Sequence, residues 1–289
     1  MNQIPLAPAG RFWDRLRGQD PPTPDTLTPH LGIGDLLITK MIEIKNNLEI
    51  SQININESLI REYSSDYNTK IIFSEKLIRW LFPYVKIKFI KMNLNLSKFN
   101  NFIQSYNFQR IPLYHHVSIP DNLSDDYSDT LVFHTKFRHD GLMDKCNASI
   151  IPQLIELFKT YKTNRKIIIM GEREIGTNKE TVIHKTVSLY KHMMTLKNNN
   201  NVLDITKDIL TEGTLFDNFL SDVEIINKCK CNIVFGVGGP SNIASAFAKE
   251  SITFLPFLKE SPYYDICIKM FTNICENVKE LEQQLNRYI

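Results

Sequence analysis

The sequence has little that is typical of a secreted, membrane-spanning or nucleic-acid-binding protein. Its five cysteines are odd in number and scattered, which argues against a disulfide framework and is typical of a reducing compartment. No run reaches the ~18 consecutive apolar residues of a membrane-spanning helix, and no signal-peptide core opens the chain. The net charge of +2 gives no overall field that would attract nucleic acid. We therefore expect a cytoplasmic protein without a transmembrane segment or a nucleic-acid partner.

Patterns that bind metal ions are also scarce. Cys229 and Cys231 are separated by one residue, not by the two of a zinc knuckle, and His115-His116 has no third candidate ligand nearby. The Asp-x-Asp pattern of a metal-bridged diphosphate site occurs nowhere. The sequence therefore predicts no metal and no cofactor. It favours cationic side chains and backbone N–H groups as the partners of an anion.

Alternating strands and helices predict the fold class. A chain of 289 residues has room for two units of ~150 residues each. Near-continuous apolar strands indicate parallel sheets covered on both faces. We expect a compact α/β protein in which two α/β domains face each other across a cleft. The expected parts are a Pro-rich extension (1–29), two α/β domains (30–125 and 126–260) and C-terminal helices that pack back across the join (261–289).

The pattern of apolar residues also predicts the elements, with a polar linker over Pro120–Thr130. Expected strands are Lys70–Phe73, Val85–Ile90, Leu131–Thr135, Lys166–Met170, Val202–Ile205, Asn232–Phe235 and Thr253–Pro256. Expected helices are Asp35–Asn46, Glu75–Leu81, Leu96–Ser105, Ile150–Tyr161, Lys179–Met194, Leu215–Cys229, Ser241–Ala248 and the tail, Tyr263–Ile289.

A glycine-rich turn follows the apolar strand that ends at Phe235 and leads directly into a helix of small residues. Three glycines within four residues let the backbone approach a ligand closely, and a helix N-terminus offers N–H groups to a phosphate. The alternative is a tight turn whose helix simply packs closely on the sheet. We expect the turn to bind an anionic group of a ligand, usually a phosphate, through Gly238, Gly239, Ser241 and Asn242.

A second glycine loop, Gly32-Ile33-Gly34-Asp35, precedes the first predicted helix. It is not the dinucleotide fingerprint, because Leu37 stands where the third glycine belongs. Asp35 could be the N-cap of the helix. The functional alternative makes Asp35 a general base that removes a proton from an acceptor hydroxyl, with Gly32 and Gly34 forming the loop on the acceptor side.

Two further predicted strands end in charged residues. Lys136 and Arg138 follow the strand at Leu131–Thr135 and could neutralise a diphosphate leaving group, or they could belong to a solvated basic loop. Gly171, Glu172 and Glu174 follow the next strand. These carboxylates could bind the ribose hydroxyls of a nucleoside, or they could be ordinary surface groups.

The two glycine loops together resemble those of GT-B glycosyltransferases, most closely the heptosyltransferase family (glycosyltransferase family 9). The similar segments are Gly34–Leu37, a Gly-Asp-hydrophobic turn, and Phe235–Ala246, a strand end running into a small-residue helix. The resemblance implies two Rossmann-like domains, with residues 30–125 on the acceptor side and residues 126–260 holding a sugar nucleotide. It further implies metal-independent transfer with inversion. It also implies Asp35 as the base and the Gly238–Asn242 turn on the donor diphosphate. The acidic residue and the His of the family's second motif fall on Val237 and Asn242.

These observations favour an enzyme that moves a hexosyl or pentosyl group from a nucleoside-diphosphate sugar to a hydroxyl of a glycan or small acceptor. Two alternatives stay open. One is another nucleotide-sugar or dinucleotide-dependent α/β enzyme, such as an epimerase. The other is a GT-B-like binding module without catalytic activity, which the residues at Val237 and Asn242 allow. The sequence does not identify the sugar, the nucleotide base, the acceptor or the oligomeric state.

Overall fold

The computed structural model describes residues 26–27, 32–57, 67–91, 103, 106, 108–139, 141–174, 186–206, 215–261 and 263–289. The strands of this part are β1 (Thr26–Leu27), β2 (Gln52–Asn56), β3 (Lys86–Ile90), β4 (Thr130–Arg138), β5 (Lys166–Met170), β6 (Thr186–Ser188), β7 (Val202–Asp204), β8 (Cys231–Gly236), β9 (Ser251–Phe254) and β10 (Ile274–Cys275). Its α-helices are α1 (Ile33–Asn46), α2 (Tyr67–Leu81), α3 (Met143–Ser149), α4 (Ile151–Thr160), α5 (Tyr190–Met193), α6 (Leu215–Lys228), α7 (Gly239–Phe247), α8 (Tyr264–Met270) and α9 (Val278–Leu285).

The strands form two sheets. The smaller sheet is parallel, in the order β1–β2–β3, and with α1 and α2 it makes up what we term the first half. The larger sheet has the order β10–β9–β8–β4–β5–β7, with parallel pairing along this path, and belongs to the second half. β6 pairs antiparallel with the end of β4. The protein is therefore α/β with Rossmann-like parallel sheets.

The order of the larger sheet defines where a ligand is expected. From β4 the chain moves outward through β5 and β7, then returns to place β8 on the other side of β4. This is the doubly wound order 3-2-1-4-5-6, in which the direction of winding reverses between the first and fourth strands. The carboxyl ends of β4 and β8 thus border the topological switch point, the usual ligand position in such sheets.

Two apolar cores lie on the two faces of the larger sheet. Neighbouring residues of β4 point to opposite faces, so Val132 belongs to one core and Phe133 to the other. The core that contains Val132 continues into the first half and includes Met41 of α1, Ile53 of β2 and Ala244 of α7. One apolar core therefore joins the two halves.

The segment predicted as a linker is docked on the second half. Glu224 of α6 is 2% exposed, and its carboxylate accepts the backbone N–H groups of Asn122 (3.2 Å) and Leu123 (2.8 Å). Lys228, one turn later, pairs with the same carboxylate at 2.7 Å. Burial would raise the pKa of Glu224, but these hydrogen bonds lower it below its usual value. The segment is irregular in conformation yet fixed in position.

Two predictions for the first half are wrong. Lys70–Phe73 is not a strand but part of α2, whose buried residues Ser74, Leu77, Ile78 and Leu81 follow helical spacing. The strand β2 was missed because polar Gln52, Asn54 and Asn56 alternate with the buried Ile53 and Ile55, and Asn is uncommon in strands.

The predicted boundaries also need correction at three places. β1 lies within the expected N-terminal extension, yet it pairs with β2, so the first half begins before residue 30. β6 occupies part of the predicted helix Lys179–Met194, and β10 interrupts the tail predicted as helical by pairing with β9. The predicted helix Leu96–Ser105 lies outside the described residues except for Ile103, which is helical. Across the described ranges, no helix has the length and hydropathy needed to cross a membrane.

Candidate functional site

The ends of β4 and β8 meet at the switch point through a close backbone contact. Arg138 lies opposite Gly236, and the N–H of Val237 donates to the Arg138 carbonyl at 2.7 Å. Gly236 has a φ of +73°, and a Cβ at this position would overlap the same carbonyl oxygen. Only glycine fits here. The contact places the Arg138 side chain beside the glycine-rich turn.

The turn after β8 leaves backbone donors at the start of α7. Its N-cap, Gly238, has no side-chain cap. The Ser241 hydroxyl donates to the Gly236 carbonyl at 2.6 Å, so this side chain stabilises the turn. Among the described residues, the N–H groups of Gly238, Gly239 and Ser241 have no backbone acceptor. They lie at the positive end of the helix dipole, where a phosphate is favoured.

The first turn of α1 lies directly against the first turn of α7. Gly34 is buried, and a Cβ there would overlap the side-chain amide of Asn242. A Cβ on Gly239 would lie 3.3 Å from Cγ2 of Ile33. The two glycines therefore let the helices touch at their N-termini. As a result, the positive ends of two helix dipoles come together at the switch point.

Asp35 occupies the first turn of α1 and is half-buried. It is not the N-cap, because that position is held by Gly32, so the capping alternative is wrong. Burial raises the pKa of Asp35 to about 7, against the opposing effect of the Arg138 guanidinium. A carboxyl group that titrates near neutral pH is suited to accept a proton from a hydroxyl.

Three cationic side chains lie in the same region. Arg138 Cδ would be 3.8 Å from a Cβ on Gly238, so its side chain lies along the glycine turn. Burial lowers the pKa of Lys136. The Glu172 carboxylate opposes this shift, whereas the positive charge of Arg138 adds to it. Burial also lowers the pKa of Lys70, with a further decrease from the ammonium group of Lys136. The site therefore combines helix N-termini with clustered positive charge.

Sequence reasoning missed Lys70 as a site residue because it assigned Lys70–Phe73 to a strand. The helical spacing of apolar residues in α2 was the signal that could have found it, since it places Lys70 in the first turn of a helix. The first turn of a helix that follows a parallel strand lies at the sheet edge where ligands bind.

The end of β5 brings one predicted carboxylate to the cationic cluster. Gly171 has a φ of +113°, and a Cβ there would lie 2.6 Å from Oγ1 of Thr135. That hydroxyl donates to the backbone carbonyl of Glu172 at 2.8 Å. The Glu172 side chain is exposed but close enough to Lys136 to raise its pKa. Glu174 is also exposed, and no described contact joins it to the cluster.

A second polar group, which the sequence did not predict, lies at the ends of β5 and β7. Arg173 donates from Nε to the Thr206 hydroxyl at 2.9 Å, and its guanidinium lies 5.6 Å from the ring centre of Tyr190. The Tyr190 hydroxyl donates to Asp204 at 2.8 Å, and Thr206 donates to the same carboxylate at 2.6 Å. The available signal was Asp204 and Thr206, two polar residues at the carboxyl end of β7.

His134 of β4 is a structural residue. It is 3% exposed and lies 3.3 Å from Oδ1 of Asn232, and burial lowers its pKa to about 4. The imidazole is therefore neutral at physiological pH. In the part of the chain that the structure describes, no cluster of His, Cys, Asp or Glu is arranged to hold a metal ion.

The structure thus gathers Asp35, Lys136, Arg138 and the turn from Gly238 to Asn242 around one switch point. A diphosphate would meet backbone N–H groups and cationic side chains there, with a carboxyl group of near-neutral pKa beside it. Against protein-family models, curated proteins and solved structures, the chain gives no match.

Proposed function

We propose that the chain is a cytoplasmic glycosyltransferase with a GT-B-like arrangement of its two halves. It moves a hexosyl or pentosyl group from a nucleoside-diphosphate sugar to a hydroxyl of a glycan or small acceptor. The transfer inverts the anomeric centre and needs no metal ion. One observation carries the proposal: Asp35 and Arg138 interact where the first turns of α1 and α7 meet.

The donor diphosphate binds at the start of α7 in this proposal. The N–H groups of Gly238 and Gly239 hold its oxygens, and Lys136 and Arg138 offset the negative charge that develops as the sugar departs. Donors that are fixed before the reaction stabilise such charge without reorganising. The Asn242 amide, held on Gly34, lies within the same turn.

The acceptor hydroxyl is activated by Asp35. Its carboxylate takes the hydroxyl proton while the oxygen bonds to the anomeric carbon, and the bond from that carbon to the diphosphate oxygen breaks. The electron pair of the broken bond stays with the diphosphate. A pKa of about 7 makes the carboxylate a stronger base than an ordinary aspartate and keeps a large fraction ionised at neutral pH.

The nucleoside lies beyond the diphosphate, toward the end of β5. Gly171 gives the backbone its sharp turn there, and the carboxylates of Glu172 and Glu174 are accessible to ribose hydroxyls. The Tyr190 ring, fixed by its hydrogen bond to Asp204, offers an apolar surface near this edge.

The substitution Asp35→Asn tests the base. We expect turnover with the correct donor and acceptor to fall by ~10²–10⁴, because the amide cannot accept the proton, while the donor affinity stays nearly unchanged. The matched control is Asp217→Asn, which alters an exposed aspartate in the first turn of α6. Steady-state kinetics and calorimetric donor binding measure the two effects. Transfer at the wild-type rate by Asp35→Asn would refute the assignment.

A dinucleotide-dependent enzyme is the second candidate, since the strand order of the larger sheet also occurs in dinucleotide-binding proteins. In those proteins the glycine fingerprint follows the first strand, which is β4 here. The residues after β4 are His139-Asp140-Gly141, without the fingerprint. Thermal shifts separate the candidates: stabilisation by NAD but not by uridine, guanosine or adenosine diphosphates would favour the dinucleotide enzyme.

A further inference from the structure

Gly32 lies beside the carboxyl group of the proposed base. It is the N-cap of α1 and is exposed, whereas Asp35 follows in the first turn of the helix and is half-buried. The Asp35 N–H donates to the Gly32 carbonyl at 3.1 Å. A Cβ on Gly32 would lie 3.4 Å from Oδ2 of Asp35 and 3.9 Å from its Cγ. One oxygen of the carboxyl group is therefore turned toward the exposed start of the helix.

Neither the backbone nor the packing requires glycine at this position. Gly32 has a φ of −72° and a ψ of 135°, which any residue adopts. Among the described residues that are not its chain neighbours, only Asp35 would come within 4 Å of a Cβ on Gly32. A Cβ on Gly34, by contrast, would overlap Asn242. Serine, asparagine or aspartate would serve equally well or better as the N-cap. Glycine differs from them because it leaves Oδ2 of Asp35 uncovered.

The space over Gly32 matters for a large acceptor and not for a small one. A methyl group at 3.4 Å would be in van der Waals contact with Oδ2 and would cover one side of this oxygen. Water or a small alcohol would still reach the oxygen from another direction, at a hydrogen-bond distance of ~2.5–3.0 Å. The hydroxyl of a sugar ring brings its ring carbons with it, and these need the space that the methyl group would occupy. The absence of a side chain thus favours a bulky acceptor.

We propose that Gly32 determines which acceptors are used: a sugar ring of a glycan lies over Gly32 while one of its hydroxyls reaches Oδ2 of Asp35. This inference rests on the proposed function, because it takes Asp35 as the base of that reaction. It narrows the acceptor from any hydroxyl compound to a glycan. It also identifies position 32 as one where an added side chain would restrict the range of acceptors.

Competition between two amines tests access to Asp35. A water-soluble carbodiimide activates carboxyl groups, and an amine then forms an amide with each of them while the carbodiimide takes up the displaced oxygen as a urea. Methylamine and glucosamine compete for each activated group, so the ratio of the two amides reports the size of molecule that approaches it. Peptide mass spectrometry measures this ratio at Asp35. Asp217, exposed in the first turn of α6, is the reference in the same sample.

In the wild type we expect the ratio of glucosamide to methylamide at Asp35 to lie within ~3-fold of that at Asp217. It should fall by ~10-fold or more in Gly32→Val and by ~3-fold in Gly32→Ser, because each added group narrows the approach. The matched control is Asn277→Val, which removes the exposed N-cap of α9 and should leave the ratio at Asp35 unchanged. An unchanged ratio in Gly32→Val, or a wild-type Asp35 that excludes glucosamine, would overturn the proposal.

Thermal unfolding separates access from stability. Gly32→Ser should melt at the wild-type temperature or above it, because serine is the better N-cap. A smaller ratio of glucosamide to methylamide at unchanged or higher stability is a result that a purely structural role of Gly32 would not give. A clear loss of stability in Gly32→Ser would show that the glycine serves the fold, and the proposal would be wrong.

The transfer reaction distinguishes this proposal from the one on which it rests. With the correct donor, Gly32→Val should lower the ratio of transfer to a glycan over hydrolysis of the same donor by ~10-fold or more. If that ratio matches the wild type while Asp35→Asn fails to transfer, Asp35 is the base but the acceptor does not lie over Gly32. If neither amine couples to Asp35 in the wild type while both couple to Asp217, no acceptor reaches the carboxyl group and both proposals fail.

Discussion

Asp35 shows how one residue can be shaped by two opposing effects. Its half-buried position disfavours the charged form, whereas Arg138 and the positive ends of α1 and α7 favour it. The result is a pKa of about 7. A carboxyl group in solution would be fully ionised at this pH and would be a weaker base. The environment of Asp35 is therefore suited to proton transfer at neutral pH.

The first consequence is a pH dependence of activity and stability. Because the folded pKa of about 7 exceeds the 3.8 of an aspartate in an unfolded chain, the folded protein binds more protons between these limits. Stability from this group is therefore present below about pH 4 and is lost as the pH rises through about 7. For the proposed transfer reaction, we expect the wild-type turnover, measured across this range, to rise with pH through about 7, because Asp35, the proposed base, ionises there.

The substitution Asp35→Asn should remove the free-energy cost of burying a negative charge. At about pH 8 the variant should therefore have a higher melting temperature than the wild type. The difference should vanish near pH 4, where residue 35 is uncharged in both folded proteins. Scanning calorimetry across this range measures it, with Asp217→Asn as the control that should show no such trend. A variant that melts below the wild type at about pH 8 would contradict the burial of this carboxylate.

At the scale of elements, the contact between the first turns of α1 and α7 builds the site. A methyl group on Gly34 would meet the Asn242 amide, so we expect Gly34→Ala to lower the free energy of unfolding by ~1–3 kcal/mol. The double variant Gly34→Ala/Asn242→Ala has room for the methyl group. It should recover most of the loss, as measured by urea unfolding in a double-mutant cycle. Strict additivity would show that the two residues do not touch.

Local pattern allowed some elements to be predicted and not others. The strand that ends at Phe235 and the small-residue helix after it were recognisable, because three glycines and a run of small side chains mark the turn. The contact of Gly34 with Asn242 joins positions 208 residues apart in a chain of 289, and no local pattern records it. Lys70 was missed for a related reason, since an Ile-Ile-Phe run is apolar in either a strand or a helix.

At the scale of the whole molecule, Glu224 connects the segment between the halves to α6. Removing its charge in Glu224→Gln should lower the free energy of unfolding by ~1–3 kcal/mol near neutral pH, because two backbone N–H groups and Lys228 lose a charged acceptor. The pKa of Glu224 is lowered, so its contribution is present above the unfolded value of 4.5 and is lost as the pH falls below it.

Urea unfolding at several pH values measures how much stability Glu224→Gln loses and how that loss depends on pH. Glu156→Gln is the control. Glu156 pairs with Lys159 on the surface of α4 and is 67% exposed, so its loss should change stability by less than ~0.5 kcal/mol. The difference in the free energy of unfolding between the wild type and Glu224→Gln should become smaller as the pH falls. A difference that becomes larger instead would mean that the Glu224 carboxyl group is protonated in the native state.

The apolar core that runs from Met41 and Ile53 to Val132 and Ala244 bears on how such a protein could be re-engineered. Exchanging one half with that of another protein would break this core, because α1 would then pack against a foreign α7. A chimaera of this kind would have to carry both helices as one transplanted unit. Diversification of such a scaffold is therefore expected in its loops, while the helix pair is inherited intact.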